Sequence, residues 1–461
     1  MGLRLIYGRA GTGKSEKCYK EISEKIKQNN KILIITPEQF SFTAEKKLME
    51  AIETEAVFNA EVVTFSRMAY RVIQEIGGRT ETNLSKCGKA MLIYSILNNC
   101  KKDLKFLGKT DENVDMAGTA ITEFKKHGIS VEQLKQETEK QSDIYLKNKL
   151  NDINMIYEKF QEQIAGKYID ETDLLTILAQ NVDKVPDFKE NLIYIDEFAG
   201  FTSQEYDIIQ KLVKIAKQVT ITICTDTIHE IKNADTDIFY SNQITINKLL
   251  QLASENDIKI EEVELEQTYR FKTPELKHLE QNLYNSKINY CEQIPQNIKI
   301  FLAKNQYSEI EEVTKKIYKL VRDENYRYRD IAVITKNIDT YSNLCKAIFN
   351  KYNIPAYIDE KKDLSQNILV KYLISILDVF ARNWSYDSVF NYVKSGFTNI
   401  AEDDIYVIEN YALKWEVKGS KWYKEDWNFK DEEKIGKEKQ ERLNQLRRQI
   451  VTPLINLKSN L

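Results

Sequence analysis

The residues best suited to chemistry stand near the start of the chain, where glycines surround a lysine and a hydroxyl group. Their spacing matches the pattern G-x-x-x-x-G-K-[ST] in full. The matching residues are Gly8, Arg9, Ala10, Gly11, Thr12, Gly13, Lys14 and Ser15. In this pattern backbone N–H groups surround phosphate oxygens, Lys14 pairs with the phosphates and Ser15 ligates Mg²⁺. The segment therefore predicts a phosphate loop that binds ATP with magnesium.

Two acidic residues, Asp196 and Glu197, directly follow the apolar run Leu192–Ile195. A carboxylate at the carboxyl end of a parallel strand is well placed to ligate a nucleotide-bound Mg²⁺, so Asp196 is a candidate metal ligand together with Ser15. Glu197 is a candidate catalytic base, because hydrolysis needs a group that polarises water beside the γ-phosphate. The alternative is a strand that merely ends in charged residues.

Arginines near hydroxyl and aromatic side chains occur in two further segments. Arg270, in Thr268–Phe271, is a candidate catalytic residue that would neutralise charge on the γ-phosphate, provided that the fold brings it there. Without that contact, an arginine between aromatic residues is a stacked or surface residue. The segment Thr64–Arg67 offers hydroxyl and cationic groups to a phosphodiester backbone, and it reads equally well as the capped start of a helix.

Hydrophobic periodicity predicts the elements that must position these residues. Strands are predicted at Leu3–Tyr7, Lys31–Thr36, Glu61–Phe65, Leu192–Ile195 and Val219–Cys224. Their nearly continuous apolar character is typical of a parallel sheet that is buried on both faces. Between residues 85 and 182, long charged segments with apolar residues three and four apart predict a helical insertion into this first unit.

A second α/β unit is predicted from Ile298 onward. Its predicted strands are Ile298–Ala303, Asp330–Thr335 and Pro355–Ile358, and its predicted helices are Ser308–Asp323 and Ile338–Lys351. We expect these strands to form a second parallel sheet. Beyond Leu364 the pattern is helical, and the charged run Lys430–Arg448 reads as a solvated helix. The tryptophans of this region, which we expect to be exposed, are Trp384, Trp415, Trp422 and Trp427.

Composition restricts the class of protein. The chain has 461 residues, 42% of them hydrophobic and 30% charged, a balance that excludes a disordered or collagen-like protein. Because the formal net charge is only −3, any binding to nucleic acid must depend on a local groove. The six cysteines and three histidines are dispersed, unlike the ligands of zinc or iron–sulfur sites. With neither a signal peptide nor an apolar run of membrane-spanning length, we expect a cytoplasmic protein without membrane contact.

The order of the motifs resembles a known family. The segments that carry the resemblance are the phosphate loop, TFSRMAYRV, YIDEFAGFTSQE, TYRFKTPELKHLE, IAVITKNIDTYSNLCKAIFNKYNIPAYID and NWSYDSVFNYVKSGF. Together they resemble the B subunit, of AddB/RexB type, of the bacterial two-subunit ATP-dependent helicase-nuclease. This family is related to UvrD-like superfamily 1 helicases and processes double-strand DNA breaks for recombinational repair.

The resemblance implies an α/β fold with tandem RecA-like P-loop domains and large helical insertions. The implied domains are residues 1–84 with 183–290 (first RecA-like domain), 85–182 (helical insertion), 291–382 (start of the second RecA-like domain) and 383–461 (a second, truncated helical insertion). Lys14 and Ser15 match the family's phosphate loop, Asp196 its Walker B acid and Arg270 its motif arginine. The implied ligands and partners are ATP, Mg²⁺, an A subunit in a heterodimer, and single-stranded and double-stranded DNA ends.

Some positions depart from the family's pattern. This sequence has an acid at Glu197, a position where the family often lacks one. The segment around Asp226 stands in the place of a motor motif that normally couples an Asp to a Gln, and no Gln follows Asp226 here. Superfamily 1 motors usually have an adenine-contacting segment ahead of the phosphate loop; only Met1–Tyr7 precede it here, so we expect adenine recognition to be weak or supplied elsewhere. The family's nuclease domain and its 4Fe-4S cluster are expected only beyond Leu461. Two other functions stay open: an autonomous DNA-stimulated ATPase or translocase, and a small-molecule P-loop kinase, which the helical insertion and second unit disfavour.

Overall fold

The computed structural model describes residues 2–52, 59–78, 80–107, 113–229, 237–284, 288–360, 364–428 and 437–460. These residues divide into two units, Met1–Lys299 and Ile300–Leu461. Within the described ranges, no helix combines the length and the hydrophobicity that a membrane span requires.

A six-stranded parallel sheet forms the centre of the first unit. The strands of this unit are β1 (Leu3–Gly8), β2 (Lys31–Ile35), β3 (Ala60–Val63), β4 (Thr82–Asn83), β5 (Tyr168–Ile169), β6 (Asn191–Ile195), β7 (Gln218–Cys224) and β8 (Ile260–Glu264). The order in the sheet is β3-β2-β6-β7-β1-β8, and every pairing is parallel. The strand predictions for this unit are confirmed, each to within two residues. The edge strand β8 escapes prediction because its glutamates interrupt the apolar pattern.

Helices cover both faces of this sheet. The helices of the first unit are α1 (Lys14–Lys27), α2 (Ser41–Ile52), α3 (Phe65–Glu75), α4 (Lys86–Asn99), α5 (Asn113–Lys126), α6 (Val131–Glu139), α7 (Ile144–Ile164), α8 (Glu171–Asn181), α9 (Ser203–Ile215), α10 (Tyr240–Glu255) and α11 (Pro274–Asn282). In β2, Leu33 and Ile35 pack toward α3, α8, α9 and α10, whereas Ile32 and Ile34 pack toward α1 and α2. This alternation explains why the strand reads as a continuous apolar run.

Helices α4 to α7 form a separate core within the first unit. Ile93 of α4, Ile121 of α5, Leu134 of α6 and Phe160 of α7 are buried together. The chain enters and leaves this region through β4 and β5, which pair in parallel. Helix α8 follows β5, and its Leu178 packs into the core of the large sheet. The helical region is thus a small bundle attached to the sheet through α8.

The second unit is helical in the residues that the structure describes. Its helices are α12 (Gln306–Asp323), α13 (Ile338–Lys351), α14 (Ile368–Ala381), α15 (Tyr386–Val393), α16 (Glu402–Lys414) and α17 (Lys437–Asn460). Helices α12 and α13 pack around Ile310, Ile348 and Phe349, and both confirm their predictions. The other four helices share another core.

The expectation of exposed tryptophans is wrong. Trp384, Trp422 and Trp427 are buried in the core of α14 to α17, and Trp415 is partly buried against it. The reason is that aromatic side chains among charged residues face inward once the helices pair, since each buries a large apolar area. Ring contacts confirm this packing: the centroids of Trp422 and Trp427 are 5.2 Å apart.

The charged run at 430–448 forms an amphipathic helix in its described part, and residues 430–436 lie outside the described residues. One face of α17 is buried through Leu443, Leu446 and Ile450. Arg447 is buried too, because its guanidinium donates to the Trp422 carbonyl at 2.9 Å and pairs with Asp426. The other face stays solvated, as predicted.

The predicted second parallel sheet is wrong for the residues described. The segments 298–303, 330–335 and 355–358 run without any assigned strand. Several of their apolar side chains are uncovered, with Ile300 96%, Leu302 100% and Ile334 92% exposed, although Ile331 and Ile358 are partly buried against the core of α12 and α13. An apolar run becomes a strand only where a neighbouring backbone pairs with it, and no described segment supplies that neighbour. The hydrophobic pattern alone therefore predicted strands that these three segments do not form.

Candidate nucleotide-binding site

The predicted site residues meet at the carboxyl edge of the large sheet. The phosphate loop follows β1 and the acidic pair follows β6, and these two strands flank β7. The loop ends are tied to the sheet by backbone hydrogen bonds: Thr225 N–H donates to the Gly8 carbonyl at 3.2 Å, and Asp196 N–H donates to the Ile35 carbonyl at 3.1 Å. Parallel strand order therefore brings side chains more than 180 positions apart into one site.

Glycines allow the phosphate loop its shape. Gly11 has φ +76° and Gly13, which precedes α1, has φ +81°, a left-handed region that L-residues rarely adopt. A Cβ at Gly11 would also lie 2.6 Å from the Cβ of Arg270. Gly11 is thus required both for its backbone conformation and for the close approach of another segment.

The ammonium group of Lys14 is hydrogen-bonded to the backbone of its own phosphate loop. Its Nζ donates to the carbonyl of Gly8 at 2.8 Å and to that of Arg9 at 2.9 Å. Burial lowers the pKa of Lys14, Cys224 and Asp196 oppose this shift, and the charge of Arg270 adds to it. Among the described residues the hydrogen bonds of Lys14 go to neutral carbonyls, and a partly desolvated ammonium held in this way is favourably placed to exchange them for phosphate oxygens.

Asp196 has an unsatisfied carboxylate oxygen. The residue is 3% exposed; Oδ1 accepts a hydrogen bond from the Thr222 hydroxyl, and Oδ2 is buried without a partner among the described residues. Burial raises the pKa of Asp196 and the charge of Glu197 raises it further, against the hydrogen bond from Thr222 and the nearby Ser15 hydroxyl. Because Mg²⁺ prefers oxygen ligands, the orphaned Oδ2 and the nearby Ser15 hydroxyl fit a magnesium ion.

Glu197 adopts an unusual backbone conformation, with φ +67°. A non-glycine residue pays a conformational cost there, and such a residue persists only where its surroundings hold it. Its Oε1 accepts a hydrogen bond from the Ser15 hydroxyl at 3.3 Å and lies 3.3 Å from Lys47 Nζ. The carboxylate of Glu197 is therefore directed toward the first turn of α1, as a candidate base requires.

The segment that contains Arg270 lies directly on the phosphate loop. The backbone N–H groups of Tyr269 and Arg270 donate to the Gly11 carbonyl at 2.9 and 3.3 Å. The guanidinium of Arg270 is exposed and makes no hydrogen bond to any residue that the structure describes. The Tyr269 ring, 62% exposed, lies 3.4 Å from the position of a Cβ at Gly13. The structure thus brings Arg270 to the site and adds an aromatic face beside it.

Arg9 differs from the other loop residues because its side chain is engaged by the protein. Its Nε lies 3.1 Å from Glu280 Oε1 and Nη2 donates to the Glu280 carbonyl at 2.7 Å. The guanidinium also lies 3.6 Å from Asp226 and 4.9 Å from the centroid of the Phe239 ring. The side chain of Arg9 therefore joins the phosphate loop to α11, leaving its backbone to line the loop.

The segment Thr64–Arg67 is the capped start of a helix. Thr64 is 5% exposed, and its hydroxyl accepts a hydrogen bond from Arg67 N–H at 3.2 Å. Phe65 is buried and packs edge-on against Phe198, with ring centroids 5.6 Å apart. Arg67 is exposed and lies 3.4 Å from Glu45. Of the two readings of this segment, helix capping accounts for the contacts of Thr64.

Sequence reasoning missed four contributors to the site: Lys47, Thr222, Tyr269 and Glu280. Thr222 carried a usable signal, since a threonine in the apolar run of β7 lies beside β6 and so beside the acid that follows it. Lys47 and Glu280 carried none, because each is an ordinary charged residue on a helix and meets its partner only in the folded chain.

The sheet order, the phosphate loop and the acidic residue at the neighbouring strand end define an α/β P-loop protein with a superfamily 1 helicase-like fold. Comparison with protein families agrees. Residues 5–280 match the family model described as ADDB, N-terminal, and residues 263–450 match the UvrD-like helicase C-terminal domain. The chain belongs to the AddB family, and the resemblance seen in its motifs is confirmed.

Individual relatives support the same assignment. A Clostridium tetani protein, named as the B subunit of an ATP-dependent helicase/deoxyribonuclease, is 41% identical over 100% of this chain and 42% of its own length. Proteins of the same name from Thermoanaerobacter sp. strain X514 and Clostridium novyi are 40% and 36% identical, over 95% and 100% of this chain and 39% and 41% of their own lengths. The chain spans about two fifths of the length of these relatives.

Proposed function

We propose that this chain is the ATP-binding, DNA-handling part of a helicase-nuclease subunit that processes double-strand DNA breaks for recombinational repair, holding or translocating on single-stranded DNA. The observation that carries the proposal is the meeting of Lys14, Ser15, Asp196 and Glu197 at one edge of the sheet. Membership of the AddB family supports the assignment to a helicase-nuclease complex. The names of the relatives support ATP as the nucleotide.

Each side chain of the site has a role that follows from its contacts. Bound ATP with Mg²⁺ would supply the phosphoanhydride bond whose hydrolysis drives movement. Lys14 would exchange the carbonyls of Gly8 and Arg9 for phosphate oxygens, and Ser15 with Asp196 would hold Mg²⁺, which would neutralise phosphate charge. Glu197 accepts a proton from the attacking water through its carboxylate, and Arg270 neutralises charge that develops on the γ-phosphate.

The proposal extends to partners and location. The relatives are named as B subunits, which supports a heterodimer with an A subunit. DNA ends, single-stranded and double-stranded, are the proposed substrates, and the proposed location is the cytoplasm. A 4Fe-4S cluster is proposed only for a nuclease domain beyond Leu461.

A second candidate function is an autonomous DNA-stimulated ATPase or translocase. The observation in its favour is the contact of Glu197 with Ser15, because an acid so close to the candidate metal ligand is what hydrolysis requires. A small-molecule kinase is disfavoured by membership of the AddB family and by the match to the UvrD-like domain.

Hydrolysis of ATP by the purified chain, with and without single-stranded DNA, tests these functions. Lys14→Ala and Glu197→Gln serve as variants. DNA-stimulated turnover that is lost in both variants would support a working motor with Glu197 as its base. Binding of ATP without turnover would favour a protein in which ATP is a structural or regulatory ligand. Failure to bind either ATP or single-stranded DNA would overturn the proposal.

A further inference from the structure

Glu197 is held from two sides. Ser15, on α1, donates a hydrogen bond to Oε1, and Lys47, on α2, lies 3.3 Å from the same oxygen. A general base needs a free lone pair on the atom that takes the proton. As long as Lys47 contacts Oε1, that oxygen is engaged by a cation in addition to the hydroxyl. Any process that removes Lys47 therefore changes the availability of the candidate base.

Lys47 is anchored at its helix, and its ammonium group is partly exposed beside Glu197 and the Tyr19 ring. The neighbouring Ala44 and Leu48 are buried against Cys18 and Tyr19 of α1, which fixes this part of α2 beside the phosphate loop. The side chain of Lys47 is 40% exposed and that of Glu197 is 36% exposed. A pair this exposed is weak, since water screens its charges. An anion arriving from solvent can therefore compete with Glu197 for Lys47.

The helix that carries Lys47 also carries an exposed aromatic ring and contacts an exposed cation. Phe42, at the start of the same helix, is 77% exposed, and Arg67, at the start of α3, is 60% exposed and lies 3.4 Å from Glu45 of α2. Exposed aromatic rings beside cations bind single-stranded nucleic acid by combining base stacking with phosphate contacts. Such a strand would place phosphates within reach of Lys47.

We propose that Lys47 is a positioning residue shared between Glu197 and the phosphodiester backbone of single-stranded DNA. Without DNA, Lys47 holds the carboxylate of Glu197; a DNA phosphate on α2 takes the ammonium away, so that Ser15 alone remains on Oε1 and a lone pair of that oxygen becomes available to water. The inference rests on the proposed function, because it requires DNA binding by this unit, and it adds the link between DNA and the candidate base.

The link is measurable without nucleotide. Binding of a fluorescently labelled oligothymidylate to the full chain, followed by anisotropy in EDTA, reports the competition directly. Glu197→Gln removes the charge that retains Lys47, so it should tighten DNA binding roughly two- to fivefold at low salt. Lys47→Met should weaken binding and reduce the salt dependence by about one counterion. In the double variant, the gain from Glu197→Gln should disappear.

A neighbouring ion pair on α2 provides the matched control. Lys46 lies 3.8 Å from Glu50, and both side chains are about two thirds exposed, at 66% and 67%. Lys46→Met and Glu50→Gln remove one positive and one negative charge, as the test variants do. Both residues lie on α2, and Glu197 is unchanged in these variants and in their double variant. Their effects on DNA affinity should add, because so exposed and distant a pair has little interaction to lose.

The outcomes separate this inference from the proposed function. Tightening by Glu197→Gln that depends on Lys47 supports the exchange of Lys47 between carboxylate and phosphate. Equal tightening in the presence and absence of Lys47 overturns it, since the effect would then be a general loss of negative charge. No change in affinity with Glu197→Gln overturns it as well. If the wild-type chain does not bind single-stranded DNA, both this inference and the DNA-handling function fail.

Discussion

The hydroxyl of Ser15 donates a 3.3 Å hydrogen bond to Glu197 Oε1 across a separation of 182 positions in the sequence. One residue is the candidate metal ligand in the first turn of α1, and the other is the candidate base after β6. Their contact means that the metal site and the base are positioned by each other. Removal of the Ser15 hydroxyl should therefore alter both metal-dependent binding and turnover.

Lys14→Ala should lower ATP affinity by up to roughly 100-fold, because a charge-assisted contact to phosphate contributes up to about 3 kcal/mol. The fold should persist, since the hydrogen bonds of Lys14 Nζ within the described part of the chain go to carbonyls of the loop itself. Titration calorimetry measures the affinity and circular dichroism the thermal melt. Lys17→Ala is the control on the same helix, where the lysine pairs with Glu21. Unchanged affinity in Lys14→Ala would refute the site.

Glu197→Gln should reduce ATP turnover by about 10²- to 10⁴-fold while ATP binding persists. Glutamine can still accept the hydrogen bond from Ser15, but it cannot take a proton from water. Single-turnover hydrolysis and binding of a fluorescent nucleotide separate the two effects. Wild-type turnover in this variant would exclude Glu197 as the base.

Asp196→Asn should change how stability depends on pH. Burial raises the pKa of Asp196 above its ordinary value of 3.8, so the protonated form is favoured by folding. The contribution of the protonated Asp196 carboxyl to the free energy of unfolding is fully present below the ordinary pKa. It is lost as the pH rises through the raised pKa of the folded state. The asparagine side chain of the variant does not ionise, so the variant has no such pH dependence at this position. Relative to the wild type, its free energy of unfolding should therefore rise as the pH increases through this range.

Urea unfolding of Asp196→Asn and wild type at about pH 5 and about pH 8 checks this sign. The advantage of the variant should grow with pH in the absence of nucleotide. ATP with Mg²⁺ should stabilise the wild type more than the variant, because only the wild type retains both proposed metal ligands. A variant that becomes relatively less stable as pH rises would contradict the burial argument.

Gly11→Ala should destabilise the protein more than Gly78→Ala. Both glycines are left-handed, with φ +76° and +74°, so each alanine should cost about 1–2 kcal/mol for its backbone conformation. Only at Gly11 does the new Cβ meet another atom, the Cβ of Arg270 at 2.6 Å, whereas no atom lies within 4 Å at Gly78. Urea unfolding measures the difference. Equal losses would mean that the Arg270 segment is not packed on the loop.

Arg9→Ala should destabilise the first unit by about 1–3 kcal/mol, because it removes charge-assisted hydrogen bonds to Glu280 and a contact with Phe239. A double-mutant cycle with Glu280→Gln, followed by urea unfolding, should reveal coupling between the two. A large loss of ATP affinity without loss of stability would show instead that the Arg9 guanidinium contacts the nucleotide.

Much of the first unit was predictable because its signals are local. The strands before the phosphate loop and before Asp196 are apolar runs, and the loop itself is a spacing pattern. The α/β fold class and the family are confirmed on that basis. The catalytic and binding roles of the site residues remain predictions, although the structure brings Lys14, Ser15 and Asp196 together as the motifs require.

The errors have a common physical origin. The apolar segments around Ile300 and Ile334 read as strands, yet a strand also needs a partner backbone, which no local pattern reveals. Trp384 and Trp422 stand among charged residues, yet burial depends on which helix face meets its neighbours. The hydrophobic pattern indicates which structure a segment adopts when another element packs against it. It does not indicate whether the fold supplies that element.

The sequence by itself determined the phosphate loop, the strands that precede the candidate catalytic residues and the family. Only the tertiary structure decided that Lys47 contacts Glu197 and that Arg9 pairs with Glu280. These pairs are separated by 150 and 271 positions. The order of strands in the sheet determines which helices become neighbours. That order depends on how the whole unit packs and not on any local segment of the sequence. Short-range spacing therefore identifies the groups that carry the chemistry, whereas their partners emerge only when the chain folds.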